Sequence, residues 1–497
     1  MPEPQPCLRL AWSPVVVTLA LTLCGCATPT APGASLGTAS VNPLLSLPAG
    51  VSHQPLPARW WQLYEDPTLN HWVQQALAHN QDLAAAQANV QAMLAGIGEF
   101  EGQRWPATSL GVAAVYGRTA DDQTLAQARG RQAPAQWEFN PGAELAYQLD
   151  VWGQVRNSIT RAQVQAQAAS EAYDLLRINV ASQTSRAYIE QCTMGARIEV
   201  TRRSLQTLDR SGALSERQRQ AGIATELDGA RLRSLREQVS AELPLLQAHQ
   251  RMAQYELTML SGQSDAPSDA ESAACKTIPA LNRPLPGGDG WHLLQQRPDV
   301  RQAERELSAS LLEVDIVKAD LYPKVSFGAS LTSSSHRLNG LGDSHAVMFG
   351  IGPLISWQFP NLHANRARVG KAQALAESQQ ATFHSVVLAA LKDVRQALAL
   401  YDGERQRQQA LTLALQQSQR SYELAEDGLR AGSVDGLALL DSERDLIAVR
   451  ARTIDAQGRL ALSEINLFKA LGGSWQSDAR LGVASPAALI HAAGNPP

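Results

Sequence analysis

The chain's reactive side chains are few: five cysteines and ten histidines in 497 residues, with carboxylates spread along the length. Their spacing decides what chemistry is open to them. A zinc hydrolase needs two histidines and a glutamate on one helix face, and the sequence has no H-E-x-x-H. It has no P-loop to cradle phosphates and no cysteine–histidine run at metal-ligand spacing. "GASLG" at 33–37 does match G-x-S-x-G. It sits in a Pro/Gly/Ser-rich stretch without the strand-to-helix turn that exposes such a serine, so we read it as chance. No catalytic, cofactor-binding or metal-binding residue is assigned, and the chain is not expected to be an enzyme. Two lesser features remain. Asp441 and Arg444 lie three residues apart in "LALLDSERDL", which on a helix makes a surface pair worth a few tenths of a kcal/mol. Cysteines occur at 7, 24, 26, 192 and 275, two of them one residue apart at the end of an apolar run.

That run, "AWSPVVVTLALTL", follows Arg9 and ends at small residues. It is too short for a membrane span of ~20 residues and has the form of a secretory signal. Its end, Leu23-Cys24-Gly25-Cys26, resembles the lipobox of bacterial lipoproteins, with Cys24 where Ala or Ser is commoner. The resemblance implies cleavage before Cys26, acylation of that residue (palmitate among the chains) and a mature protein starting there. Ala27 follows, with no Asp retention signal, which favours the outer membrane. Burial at ~0.8 kcal/mol per CH₂ means that two or more acyl chains hold a protein stably. Cleavage also removes Cys7 and Cys24. Cys192 and Cys275 then remain, free either to form one disulfide or to stay as buried thiols.

Composition narrows the fold. Lys+Arg number 43 against 47 Asp+Glu, a net charge of −4, and no basic stripe suggests nucleic acid. With 5% aromatics and much Ala, Gln, Leu and Arg, the chain is built for long helices. Beyond the signal no run of ~18 apolar residues exists, so no helix is expected to span a bilayer. The order of parts repeats. A helical segment leads to Arg104-Trp105-Pro106 and again to Leu321-Tyr322-Pro323; two alternating segments follow; then a long polar helix, an "AG" step at Ala221-Gly222 and Ala431-Gly432, and another helix. The offset is 217 residues at the prolines and 210 at the glycines, as a duplication with small indels would leave. The expected organisation is a signal over 1–25, a tether over 26–58, a first repeat over 59–262, a connector over 263–290, a second repeat over 291–473 and a tail over 474–497.

The alternating segments bear on the membrane. In "WEFNPGAELAYQLDV", Trp137, Phe139, Ala143, Leu145, Tyr147, Leu149 and Val151 share one face, with Glu138, Asn140, Glu144, Gln148 and Asp150 on the other. Comparable patterns near 107–118, 324–333 and 346–359 are the signature of transmembrane barrel strands. A soluble hairpin gives the same local pattern, but two pairs at equivalent places in a repeated chain strengthen the barrel reading. Four strands cannot close a barrel and lipid does not tolerate an open edge, so the chain is expected to oligomerise. Helices are expected near 67–103, 154–214, 224–260, 297–320, 362–431 and 434–471. Pro67 and Pro298 suit first turns, whereas Pro244 should kink or break its helix.

"RWWQLYEDPTLNHWVQQALAHNQDLAAAQANV", "YQLDVWGQVR", "RPDVRQAERELSASLLEVDIVKADLYPKVSF", "GPLISWQFPN", "GLRAGSVDGLALLDSERDL" and "LFKALGGSW" together resemble the outer-membrane factor family, in its NodT-type lipoprotein branch. The resemblance covers residues 59 to 475. It implies an α+β membrane protein: a homotrimer with a twelve-stranded transmembrane β-barrel, four strands from each chain, continuous with a long periplasmic α-helical barrel. It implies as partners a periplasmic adaptor (membrane fusion protein) and an inner-membrane transporter of the RND type. The chain would then be the passive outer-membrane exit channel of a tripartite efflux pump. The resemblance also implies a periplasmic gate, where Leu437 narrows the pore, Asp441 forms a carboxylate ring and Arg444 pairs with neighbouring chains. Ser442-Glu443 stands where Ala-Gln is usual, and Leu429 where a Tyr is common. Shifted by 210, Asp441 corresponds to Arg231, and we expect a contact between them across adjacent helix pairs. The branch further implies a Cys192–Cys275 disulfide. Two alternatives stand beside the duct: a trimeric coiled-coil structural or adhesive lipoprotein without a pore, and a type I protein-export duct.

Overall fold

The computed structural model describes residues 51–473 apart from 53, 55, 223, 265–274, 282, 287–294 and 358–361. Cys26, the signal and the C-terminal tail lie outside the described residues.

Two helices of exceptional length set the scale. α4 (Gln154–Gln220) has 67 residues and α7 (Leu362–Arg430) has 69, so each is ~100 Å long at 1.5 Å per residue. Two shorter helices stack end to end beside each of them. Beside α4 these are α2 (Gln81–Gly102) and α5 (Glu226–Leu260); beside α7 they are α6 (Pro298–Ala319) and α8 (Gly436–Ala470). α4 also packs against α6 and α8, which joins the two sets into one wall.

A polar side chain sits at each stacking joint. Asn80 caps α2 by accepting from Leu83 N at 3.1 Å, and its Nδ2 donates to the Leu260 carbonyl at the end of α5, also at 3.1 Å. Arg297, buried at the start of α6, donates from Nη1 to the Ala470 carbonyl that ends α8, at 2.6 Å. Helix ends leave carbonyls and amides without intrahelical partners, and one side chain here serves two ends. Asn80 also corrects the expected single helix over 67–103: α1 (Pro67–His79) stops at Asn80, which takes an extended backbone, and α2 starts after it. Pro244 lies inside α5 on an exposed face without ending it, so of the expected kink or break the break does not occur.

Four strands form one antiparallel sheet in the order β2 (Ala107–Gly117), β3 (Gln136–Leu149), β5 (Lys324–Ser333), β6 (Val347–Ser356). The register aligns the alternation across all four. Leu110, Ala143, Leu331 and Phe349 fall in one row, Thr108, Leu145, Ala329 and Ile351 in the next, and Leu149, Val325 and Ile355 near one end. Rows of the opposite face read Ser109, Glu144, Ser330, Gly350 and then Gln148, Ser326, Leu354. One face is therefore apolar and the other mostly polar or small. Leu110, Val112, Phe349 and Ile351 are among the most exposed apolar side chains, so nothing among the described residues covers that face. β2 and β6 are the edges. Between β2 and β3 lies a short helix, α3 (Ala120–Ala128), capped by Thr119. β1 (Val51–Ser52), in the expected tether, pairs in parallel with β4 (Leu285–Pro286) of the connector.

Candidate functional site

Where sheet meets helices, aromatic side chains fix the joint. Asp150 accepts from Val155 N and Arg156 N and so caps α4, Trp152 stacks on Tyr322 at 4.6 Å, and its Nε1 donates to the Pro323 carbonyl. Trp357 Nε1 donates to the Leu321 carbonyl. Below this joint, residues of α2, α4, α6 and α7 line a cleft of about 840 Å³ that carries both charges, including Arg161 paired with Glu313 at 3.0 Å and Glu306 accepting from Gln379. The lining of this cleft is compatible with water. Among the described residues no helix is long and apolar enough to cross a membrane, and no cluster of His, Cys, Asp and Glu could hold a metal ion.

At the far end, each long helix turns back through an Ala-Gly step. Gly222 and Gly432 both sit at φ +74°, a left-handed conformation that costs any residue with a Cβ. The returning helices are capped at once, α5 by a Thr225–Asp228 capping box and α8 by Asp435, which accepts from Ala438 N. Hydrogen bonds from Thr225 hold the Asp228 carboxyl below its ordinary range, with help from the nearby Arg231 guanidinium.

The sequence-derived gate residues lie in the first turns of α8. Leu437 is 42% exposed, and Asp441 and Arg444 are exposed beside it, at 3.9 Å from one another. Their 437, 441, 444 spacing puts them on one stripe, while the adjacent Leu440 is buried against Leu208 of α4 and Leu235 of α5. The stripe thus points away from the chain's own core. Arg231 is exposed on α5, one residue from Leu232 at the edge of that leucine cluster. Within one chain Asp441 is paired with Arg444 and no ion pair joins it to Arg231 among the described residues.

Sequence reasoning passed over Glu443. It is 2% exposed, and its carboxylate accepts from Ser211 Oγ of α4 at 3.2 and 3.4 Å. Burial pushes its carboxyl above the ordinary range, against the pull of the Ser211 hydroxyl. The signal was present, because Leu439, Glu443 and Leu446 share a helical face and both leucines are buried.

Midway along the wall, Cys192 of α4 and Cys275 of the connector are joined by a disulfide, with Cα atoms 4.8 Å apart. A Cβ at Gly195 would overlap the Cys275 carbonyl, so only glycine lets the connector lie this close. At the same level the residues before α1 clamp onto α8: Trp60 stacks on Phe468 at 4.9 Å, and Tyr64 donates to Glu464 Oε2 at 3.0 Å. Burial pushes the Glu464 carboxyl up to about 7, although the Tyr64 hydroxyl works against it.

The family model of the outer membrane efflux protein matches residues 72–263 and 292–473. The chain is 29% identical over 483 residues to the pyoverdine export outer membrane protein OpmQ of Pseudomonas putida, covering 93% of this chain and 97% of that one. It is 27% identical over 418 residues to the probable outer membrane lipoprotein SilC of Salmonella typhimurium, covering 84% and 88%. The solved structure of the outer-membrane channel OprN superposes with a TM-score of 0.79 at 29% identity, over 86% of this chain and 95% of that one.

Proposed function

The chain belongs to the outer membrane efflux protein family and is an exit channel of the outer membrane; we propose that it works as a homotrimer whose sheets close into one twelve-stranded transmembrane barrel. The carrying observation is the sheet itself. Its apolar face is exposed across all four strands, its other face is mostly polar or small, and β2 and β6 have free edges. In lipid an unpaired backbone group costs several kcal/mol, so those edges must find strands of other chains. Lipid then covers the apolar face, and water fills the inside. The helical wall continues the tube into the periplasm, and its two edge helices also carry unpartnered apolar side chains: Leu245, Met252 and Met259 on α5, Leu413 and Leu424 on α7. The matching stacks of α2 with α5 and of α6 with α8, and the two matched stretches of the family model, support an internal duplication.

We assign the gate to Leu437, Asp441 and Arg444, as rings at the narrow periplasmic end, with Arg231 a partner for Asp441 only across a boundary between chains. Cys26 is assigned as the acylated anchor, a reading that the name of SilC as a lipoprotein supports. The pyoverdine export named for OpmQ favours small molecules as cargo, handed over by a periplasmic adaptor and an inner-membrane transporter. Single-channel conductance in planar bilayers tests the whole reading. Wild-type trimers should conduct weakly or in flickers, and an Asp441→Ala/Arg444→Ala double mutant should conduct several-fold more. Equal conductance would remove the gate from these residues, and silence in both would remove the pore.

A further inference from the structure

The gate assignment leaves a buried acid beside it without a role. Glu443 faces inward from α8, and groups from three helices surround it. From α4 comes the Ser211 hydroxyl. From α7 come Tyr422 and Glu426, whose charge adds to the cost of ionising Glu443. α5 meets this part of the wall through Leu232, Leu235 and Val239, and its Arg236 is held by Asp209 of α4 and by Glu237. On α8 itself, Arg444 is turned to Asp441, Asp445 accepts from Ser418 of α7, and Arg450 donates to Gln419 of α7. Among the described residues no cation lies within ion-pair distance of Glu443. Burial without a cation favours the neutral acid over the carboxylate.

We propose that Glu443 is a positioning residue that locks α8 to α4 beneath the gate, holding the tip closed while it carries a proton and releasing it when the proton leaves. The inference rests on the gate described above. Parting α8 from α4 hydrates Glu443 and returns it to the ordinary glutamate value of about 4.3. Closed trimers therefore bind more protons than open ones. The closed form keeps its full stability below that ordinary value and loses it as pH rises through the raised value of the buried acid. Each unit by which burial raises Glu443 shifts the closed-to-open ratio about tenfold.

The test is open probability of full-length reconstituted trimers as pH on the periplasmic side is stepped from about 5 to about 8. Wild type should open more as pH rises. Glu443→Gln keeps the acceptor for Ser211 but cannot ionise, so it should stay at the low-pH level throughout. Ser211→Ala removes the hydroxyl that favours the charged form, so it should move the rise to higher pH, a displacement that loss of packing alone does not produce. A Glu443→Gln profile that rises like wild type overturns the lock, as does a flat wild-type profile. If the Asp441→Ala/Arg444→Ala mutant still opens several-fold more in either case, the gate stands without the lock. Silence of every variant overturns the duct and the lock together.

Discussion

Glu464 obeys the same physics as Glu443 at the other end of α8, with a different consequence. It is buried against Tyr64, and the clamp it forms holds the segment before α1 on the wall. Because its folded value is raised to about 7, the stability it supports is fully present below the ordinary glutamate value and is lost as pH rises through about 7. A rise of that size corresponds to roughly 3 kcal/mol per chain once the carboxyl is ionised. Glu464→Gln should therefore match wild type in thermal unfolding near pH 5 and exceed it near pH 8, and identical pH dependence in the two would show that the carboxyl is relieved by another route. Neither acid was legible as a functional residue. Glu443 sat on a recognisable apolar face, but a glutamate in a polar helix reads as solvated. Glu464 gave no signal at all, since its partner Tyr64 is 400 residues away. Leu437, Asp441 and Arg444 were legible as one exposed stripe because helical spacing is local.

At the scale of elements, the strands were the most legible part, because a two-residue alternation states both the element and its two faces. The long helices were nearly as plain, having 60 to 70 residues without a proline. Their joints were not. The break at Asn80 follows no proline or glycine; it exists because α5 ends against that point, a fact of packing between segments 180 residues apart. This makes Asn80 a strong target. Asn80→Ala should lose the cap on α2 and leave the Leu260 carbonyl without its donor, at a cost of about 1–3 kcal/mol. Asn80→Asp keeps the cap but sets a carboxylate oxygen against that carbonyl. Its deficit in denaturant unfolding should shrink when pH falls far enough to protonate the aspartate, whereas that of Asn80→Ala should not. Equal pH behaviour would mean that the Leu260 contact contributes nothing.

At the scale of the whole molecule, both layers of a single chain favour the proposed trimer. A four-stranded sheet with an exposed apolar face cannot rest in lipid with free edges, and a helical wall with apolar side chains along both outer helices does not stop at those helices. The sequence stated the first of these and was silent on the second, because Leu245, Met252 and Met259 look like any core stripe until α4 is seen to occupy the other side of α5. That gives the trimer a test independent of conductance. Met252 is 62% exposed in the single chain, so Met252→Glu should leave the fold of each chain intact, with unchanged helical circular dichroism and an intact Cys192–Cys275 disulfide. If the proposed trimer closes through α5 of one chain and α7 of the next, the same glutamate would be buried there, where an unpaired charge is not tolerated. Detergent-solubilised Met252→Glu should run at the mass of a single chain, and Leu413→Glu on the opposite edge should do the same. A control at Leu125, exposed on α3 and far from both edges, should stay trimeric when changed to glutamate. If both edge variants keep the wild-type mass, the wall does not close through α5 and α7, and the barrel must be held by its strands alone.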